Sequence, residues 1–144
     1  MIITIEKKIR FTTLFIICVL VVILHLMPKP SYDSVFGVFF NSYVVNIILP
    51  CYLFLLLTLN LYTLPPKIKQ REMLIKILMA VMVFLISFTV ETLQYFNIHI
   101  FGSTFDVIDY LMYLSGVLLG LTIDYFIILI SNKISPRVIT KKMS

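Results

Sequence analysis

The chain has no tryptophan, two cysteines, four glycines and few charges; acidic and basic residues together make up 13%. Each shortage closes off a class of protein. Soluble domains devote about a quarter of their residues to charge, so no surface meant for water is being built here. Cys18 and Cys51 lie in separate apolar runs with no metal-ligand spacing, which leaves them as small core hydrophobes and not a disulfide or zinc scaffold. Without tryptophan, any aromatic belt at a lipid–water boundary must come from the eight tyrosines and twelve phenylalanines. No serine or cysteine sits in a nucleophile motif, and no HExxH, P-loop or dinucleotide fingerprint is present. No cofactor or metal is expected, and these motifs assign no enzymatic reaction.

What the chain does have is apolar sequence. Its 144 residues are 60% hydrophobic, with a mean hydropathy of +1.05. That length allows one domain, 1–144, and the composition predicts an all-α integral membrane protein. A spanning helix needs about 20 apolar residues, and four runs qualify: 11–27, 44–61, 74–95 and 106–130. Pro28 and Pro30 close the first; Pro65 and Pro66 close the second. The segment Val35–Tyr43 reads as an interfacial turn, or as the start of a long helix kinked at Pro50. Lys7, Lys8 and Arg10 ahead of run one resemble a signal-peptide n-region. The apolar core that follows exceeds the usual 7–15 residues or so, and no small-x-small cleavage site appears, so an uncleaved span is expected.

Charge sets the orientation. Lys7, Lys8 and Arg10 precede run one; Lys67, Lys69, Arg71 and Lys76 join runs two and three; Lys133, Arg137, Lys141 and Lys142 follow run four. Only Lys29 falls on the other side, so both termini are expected in the cytoplasm. The net charge of +5 is then a topology signal with at most a weak pull on anionic lipid, and nucleic acid is not an expected partner.

The stretch Glu91 to Gly120 is out of character with the rest: ETLQYFNIHIFGSTFDVIDYLMYLSGVLLG. Carboxylates inside lipid are costly, and they mark candidate functional sites. The expected topology gathers Glu91, Gln94, Asp106 and Asp109 at the extracytoplasmic ends of two antiparallel neighbours. Ala80, Ser87, Glu91 and Gln94 share an arc of roughly 60°. Asp106, Asp109, Tyr113, Gly116, Gly120 and Asp124 share one of roughly 80°. The two faces are expected to meet. Ser103 or Thr104 reads as a helix cap, with Asp106 in the first turn. Gly116 and Gly120 read as a close-packing pair, and Asp124 as an intramembrane charge paired with Lys76 or Lys133 or bonded to another helix. The acids cannot all be charged cheaply. They need a shared proton, a donor such as Gln94, Tyr110, Tyr113 or His99, or a hard cation between Glu91, Asp106 and Asp109.

Glu-x-x-Gln near the end of one span, a glycine-containing loop, Phe-Asp-x-x-Asp and two glycines in the next span resemble the VanZ-like family. These are small multi-span bacterial membrane proteins whose namesake is linked to teicoplanin resistance. The resemblance rests on Glu91, Gln94, Gly102, Phe105, Asp106, Asp109, Gly116 and Gly120, in the C-terminal half; Asn46 and Pro50 match an earlier Asn…Pro faintly, at shorter spacing. The family often carries arginine at the position of Ser103 and asparagine at that of Tyr113. Lacking that arginine, the acids have no outer counter-ion, while Tyr113 keeps a donor but narrows any groove.

The resemblance implies a bacterial cytoplasmic-membrane protein with a polar pocket of Glu91, Gln94, Asp106, Asp109 and Tyr113. That pocket would engage a membrane lipid, a lipid-linked envelope precursor or an amphipathic antibiotic. Three rivals stand beside this reading: a small proton- or cation-coupled transporter using Asp109 to Asp124, an enzyme with Glu91 or Asp109 as acid–base, and an accessory subunit docking a partner helix. The sequence leaves the oligomeric state open.

Overall fold

The computed structural model describes residues 2–26, 33–63, 71–96 and 106–143. Among them all regular structure is helical: α1 (Ile2–Leu26), α2 (Val35–Ser42), α3 (Val44–Leu59) running into a 3-10 turn (Asn60–Thr63), α4 (Glu72–Tyr95) and α5 (Val107–Met143). Three stretches are long and apolar enough to cross a membrane: Val35–Leu59, Glu72–Tyr95 and Val107–Ile134. They correspond to the second, third and fourth apolar runs, as a multi-pass membrane protein requires. The prolines expected to close runs one and two, His99, Gly102, Ser103, Thr104 and Phe105, and the cations Lys29, Lys67 and Lys69 lie outside the described residues.

Two boundaries differ from expectation. Val35–Ser42 is helix and not an interfacial turn, started by the Ser34 side chain accepting from the Gly37 N–H at 3.0 Å. The interruption in this long segment falls at Tyr43 (φ −117°, ψ −22°), while α3 runs through buried Pro50. Hydrogen bonding carries across the break: the Tyr43 N–H donates to the Phe39 carbonyl at 2.9 Å, and its own carbonyl accepts from Ile47 at 3.1 Å. Proline removes one such bond and crowds a carbonyl four residues back, but here the departure from helical geometry sits where Tyr43 is drawn to another helix. The fourth run is also longer than expected, with α5 continuing to Met143.

Side-chain pairing fixes the directions. Glu91 and Lys76 of α4 meet Tyr113 and Asp124 of α5, so these two run antiparallel. Asn46 meets Asp109, and Gly120 abuts Cys51 and Phe54, so α3 and α5 run parallel, in the most extensive helix contact among the described residues. Arg10 meets Asp124 while Leu14 joins the core, which turns α1 against α5. The helices therefore alternate up and down, with the start of α1 and the far part of α5 at one end.

Across the bundle the buried residues form three layers. At one end, the carboxylate end, are Glu91, Gln94, Asp109 and Tyr113. The middle is apolar: Leu14, Cys51, Phe54, Leu55, Ala80, Val83 and Val117. At the other end, the ion-pair end, are Arg10, Thr58, Lys76, Asp124 and Ser131. The outward surface is apolar on every helix, as with Phe15, Val45, Leu78, Leu85 and Leu118, and a contiguous apolar exterior of this kind suits hydrocarbon, not water.

Candidate functional site

The carboxylate end is assembled by three elements. In α4 the inward positions are Lys76, Ala80, Val83, Ser87, Glu91 and Gln94. This is the face expected from spacing, with Lys76 and Val83 added to it. It delivers Glu91 to the centre, only 1% exposed. One Glu91 oxygen accepts from the Tyr113 hydroxyl at 2.9 Å and the other from the Asp106 backbone N–H at 3.0 Å. Hydrogen bonds to a charged group are each worth about 1.5–3 kcal/mol, and two of them offset much of the cost of removing this carboxylate from water.

Asp106 is itself the cap of α5. Its Oδ1 accepts from the Ile108 N–H at 2.9 Å, and its Oδ2 from the Tyr43 hydroxyl at 2.7 Å. The expected cap at Ser103 or Thr104, with Asp106 in the first turn, is thus corrected: the helix begins one residue after Asp106, and Asp109 is the acid of the first turn. The Ile108 N–H and then the Tyr43 hydroxyl hold the Asp106 carboxyl below the usual carboxylate range, so it is charged at neutral pH.

Asp109 is buried and turned toward α3, where the Asn46 side-chain amide donates to its Oδ1 at 2.6 Å. The acids are therefore accommodated by hydrogen-bond donors. Among the described residues no group of three or more His, Cys, Asp or Glu is disposed to hold a metal ion. Gln94 is buried on the same face. Tyr110, one of the expected donors, lies instead within 3.1 Å of the Thr92 hydroxyl and stacks on Phe88.

The structure thus joins Glu91, Asp106 and Tyr113 directly and places Asp109 on a different neighbour. Tyr43 and Asn46 are the participants that two-helix reasoning passes over. Asn46 carried a signal, as an amide within an apolar run; Tyr43 carried none, because its place depends on the break between α2 and α3. Asn46→Leu is expected to lower the unfolding free energy in detergent by about 2 kcal/mol, the worth of one donor to a charged group. An unchanged unfolding midpoint would show that Asp109 does not depend on this amide.

The two glycines pack, but against α3 and not α4. A Cβ on Gly116 would overlap the Ile47 carbonyl, and one on Gly120 would meet Phe54 at 2.9 Å and the Cys51 carbonyl oxygen at 3.3 Å.

At the ion-pair end Asp124 is 3% exposed and takes two cations, Lys76 at 2.9 Å and Arg10. Arg10 also bonds Glu6 at 2.9 Å and Thr58 at 3.0 Å, and Lys76 bonds Glu72 at 2.8 Å. Lys133, the alternative partner for Asp124, is exposed. It sits nine residues on, which at 100° per residue is about half a turn away, on the opposite face. Arg10 reads from sequence as a topology signal; folded, it is among the most buried side chains of the chain.

No protein-family model, curated protein or solved structure matches this chain.

Proposed function

We propose that the chain is a four-span protein of the bacterial cytoplasmic membrane, of VanZ-like type, with both termini in the cytoplasm and the carboxylate end facing outward. On this reading α1 is the fourth span. Its carboxylate end engages the cationic part of an amphipathic envelope component, a lipid-linked precursor or an antibiotic such as a glycopeptide.

One observation carries the reading. Three carboxylates, Glu91, Asp106 and Asp109, are drawn together by three helical elements, yet among the described residues their hydrogen-bond donors are neutral and every ion pair lies at the opposite end. An end so arranged is uncompensated, and a cation arriving from outside lowers its energy. Asp106, the most accessible of the three, is the first point of contact.

A transporter is supported less well. The apolar layer of Cys51, Phe54, Leu55, Ala80, Val83 and Val117 stands between Asp109 and Asp124. Those two acids are 15 residues apart along one helix, about 22 Å at 1.5 Å per residue. Ser87 is the buried polar side chain of α4 between Glu91 and that layer, and the rest of a proton path would cross apolar side chains.

Glu91→Ala and Asp109→Ala, expressed in a host whose teicoplanin susceptibility the parent protein changes, are each expected to abolish that change. Susceptibility equal to the parent's, with the variant present in the membrane at parental level, defeats the proposal.

A further inference from the structure

The acids at the ion-pair end are held by buried cations. Glu6, Glu72 and Asp124 are all engaged by Arg10 and Lys76. The other cations there whose side chains are described, Lys7 and Lys8 of α1, Arg71 at the start of α4 and Lys133 of α5, are exposed, and none is in an ion pair among the described residues. Helical phase explains the separation. Lys7 and Lys8 lie about 100° and 200° from Glu6 on α1, and Lys133 about 180° from Asp124 on α5. α1 and α5 turn their acids to the interior and their spare cations to the perimeter, while on α4 the half-exposed Glu72 is drawn to Lys76 and Arg71 is left outside.

The level of these cations is as telling as their sign. Arg71 immediately precedes the apolar stretch Glu72–Tyr95, and Lys133 closes the stretch Val107–Ile134. Lys7 and Lys8 sit within a turn of Arg10, which is level with Lys76 and Asp124. Three helices thus place cations around one rim, where hydrocarbon gives way to headgroups. Long basic side chains at span ends extend to that depth.

We propose that this rim is a binding surface for anionic phospholipid headgroups. The network of Glu6, Glu72 and Asp124 on Arg10 and Lys76 carries one net negative charge, and the four exposed cations outside it leave this end net positive. The attraction exceeds the weak one that net charge alone suggests, because the cations are gathered at one end of the bundle, within about 10 Å of one another along its axis, instead of spread along the chain. Near a charged membrane surface each basic residue contributes roughly a five-fold factor in affinity. The inference rests on the membrane reading above but not on the role of Glu91, Asp106 and Asp109.

The test uses the full chain purified in a neutral detergent, with thermal unfolding followed as dioleoylphosphatidylglycerol or dioleoylphosphatidylcholine is added. The expected result is at least a roughly tenfold lower half-saturating concentration for the anionic lipid, a preference that weakens in high salt. The variant Lys7→Gln/Lys8→Gln/Arg71→Gln/Lys133→Gln alters only exposed side chains. It is expected to unfold at the parental temperature without lipid and to lose the preference. Equal response to the two lipids, a variant that keeps the preference, or the same stabilisation from inorganic phosphate overturns the proposal. A chain released from native membranes by alkaline carbonate overturns the membrane reading beneath it. A chain that stays in the membrane but lacks the preference overturns only the lipid surface.

Discussion

Arg10→Leu is expected to lower the unfolding free energy by about 3–5 kcal/mol, the usual cost of removing one partner from a buried ion pair. The substitution leaves Asp124 with Lys76 alone, Glu6 without a cation and the buried Thr58 hydroxyl without its donor. It also removes a side chain that bonds α1 to both α3 and α5. Arg10→Lys is expected to recover only part of the loss, because an ammonium lacks the planar fork that reaches three acceptors at once. Unfolding in detergent by heat or denaturant measures both. The cycle with Asp124→Leu isolates the pair. The double variant is expected to be more stable than the sum of the single losses by about 1–3 kcal/mol, since it no longer leaves Asp124 short of a cation or Arg10 short of its acid, while Lys76 keeps Glu72. Additive losses would show that Arg10 and Asp124 are not coupled, and parental stability with a change confined to insertion topology would show Arg10 to be a topology signal and nothing more.

The second large effect is expected at Gly116. Alanine gains about 1 kcal/mol of helix propensity over glycine, so in an open helix Gly116→Ala would be stabilising. Here the added methyl would overlap the Ile47 carbonyl oxygen and stand 3.0 Å from its carbon, and these are backbone atoms of a helix that cannot yield alone. The helices must separate, which opens the core layer around Val117, Cys51 and Phe54. Overpacking of this kind costs about 1–3 kcal/mol and sometimes more, and the backbone obstacle puts Gly116 at the upper end. The expected net loss is about 2 kcal/mol. Gly120→Ala is expected to cost less, because the nearest obstacle at 2.9 Å is the edge of the Phe54 ring. Measured side by side, the reverse order would mean that α3 and α5 do not approach most closely at Ile47.

Much of this arrangement was legible in the chain. Apolar run lengths located three stretches that are long and apolar enough to span, and the 3.6-residue period identified the buried face of α4 through Ser87, Glu91 and Gln94. The same period grouped Asp109, Tyr113, Gly116, Gly120 and Asp124 on α5, all of which are buried. Such regularities are local: a helix in an apolar run has one face on which polar and small residues can be hidden, and spacing alone reveals it.

The partners across the bundle were not legible. Two faces were expected to meet as a pair, whereas α5 divides its face between α4, which takes Tyr113 and the Asp106 N–H, and α3, which takes Asp109 and both glycines. Tyr43 and Asn46 enter the site because α3 runs parallel to α5 at close approach. Arg10 enters the ion-pair end because α1 closes the bundle there.

The sequence by itself determined that the chain is helical and apolar, and which residues each helix must hide. Only the tertiary structure decided whom each of them meets: neutral donors for the acids of Glu91–Gly120, and two buried cations for Asp124. The physical reason is that helical period acts within a few residues, while the pairing of charges follows from packing between helices far apart in the chain.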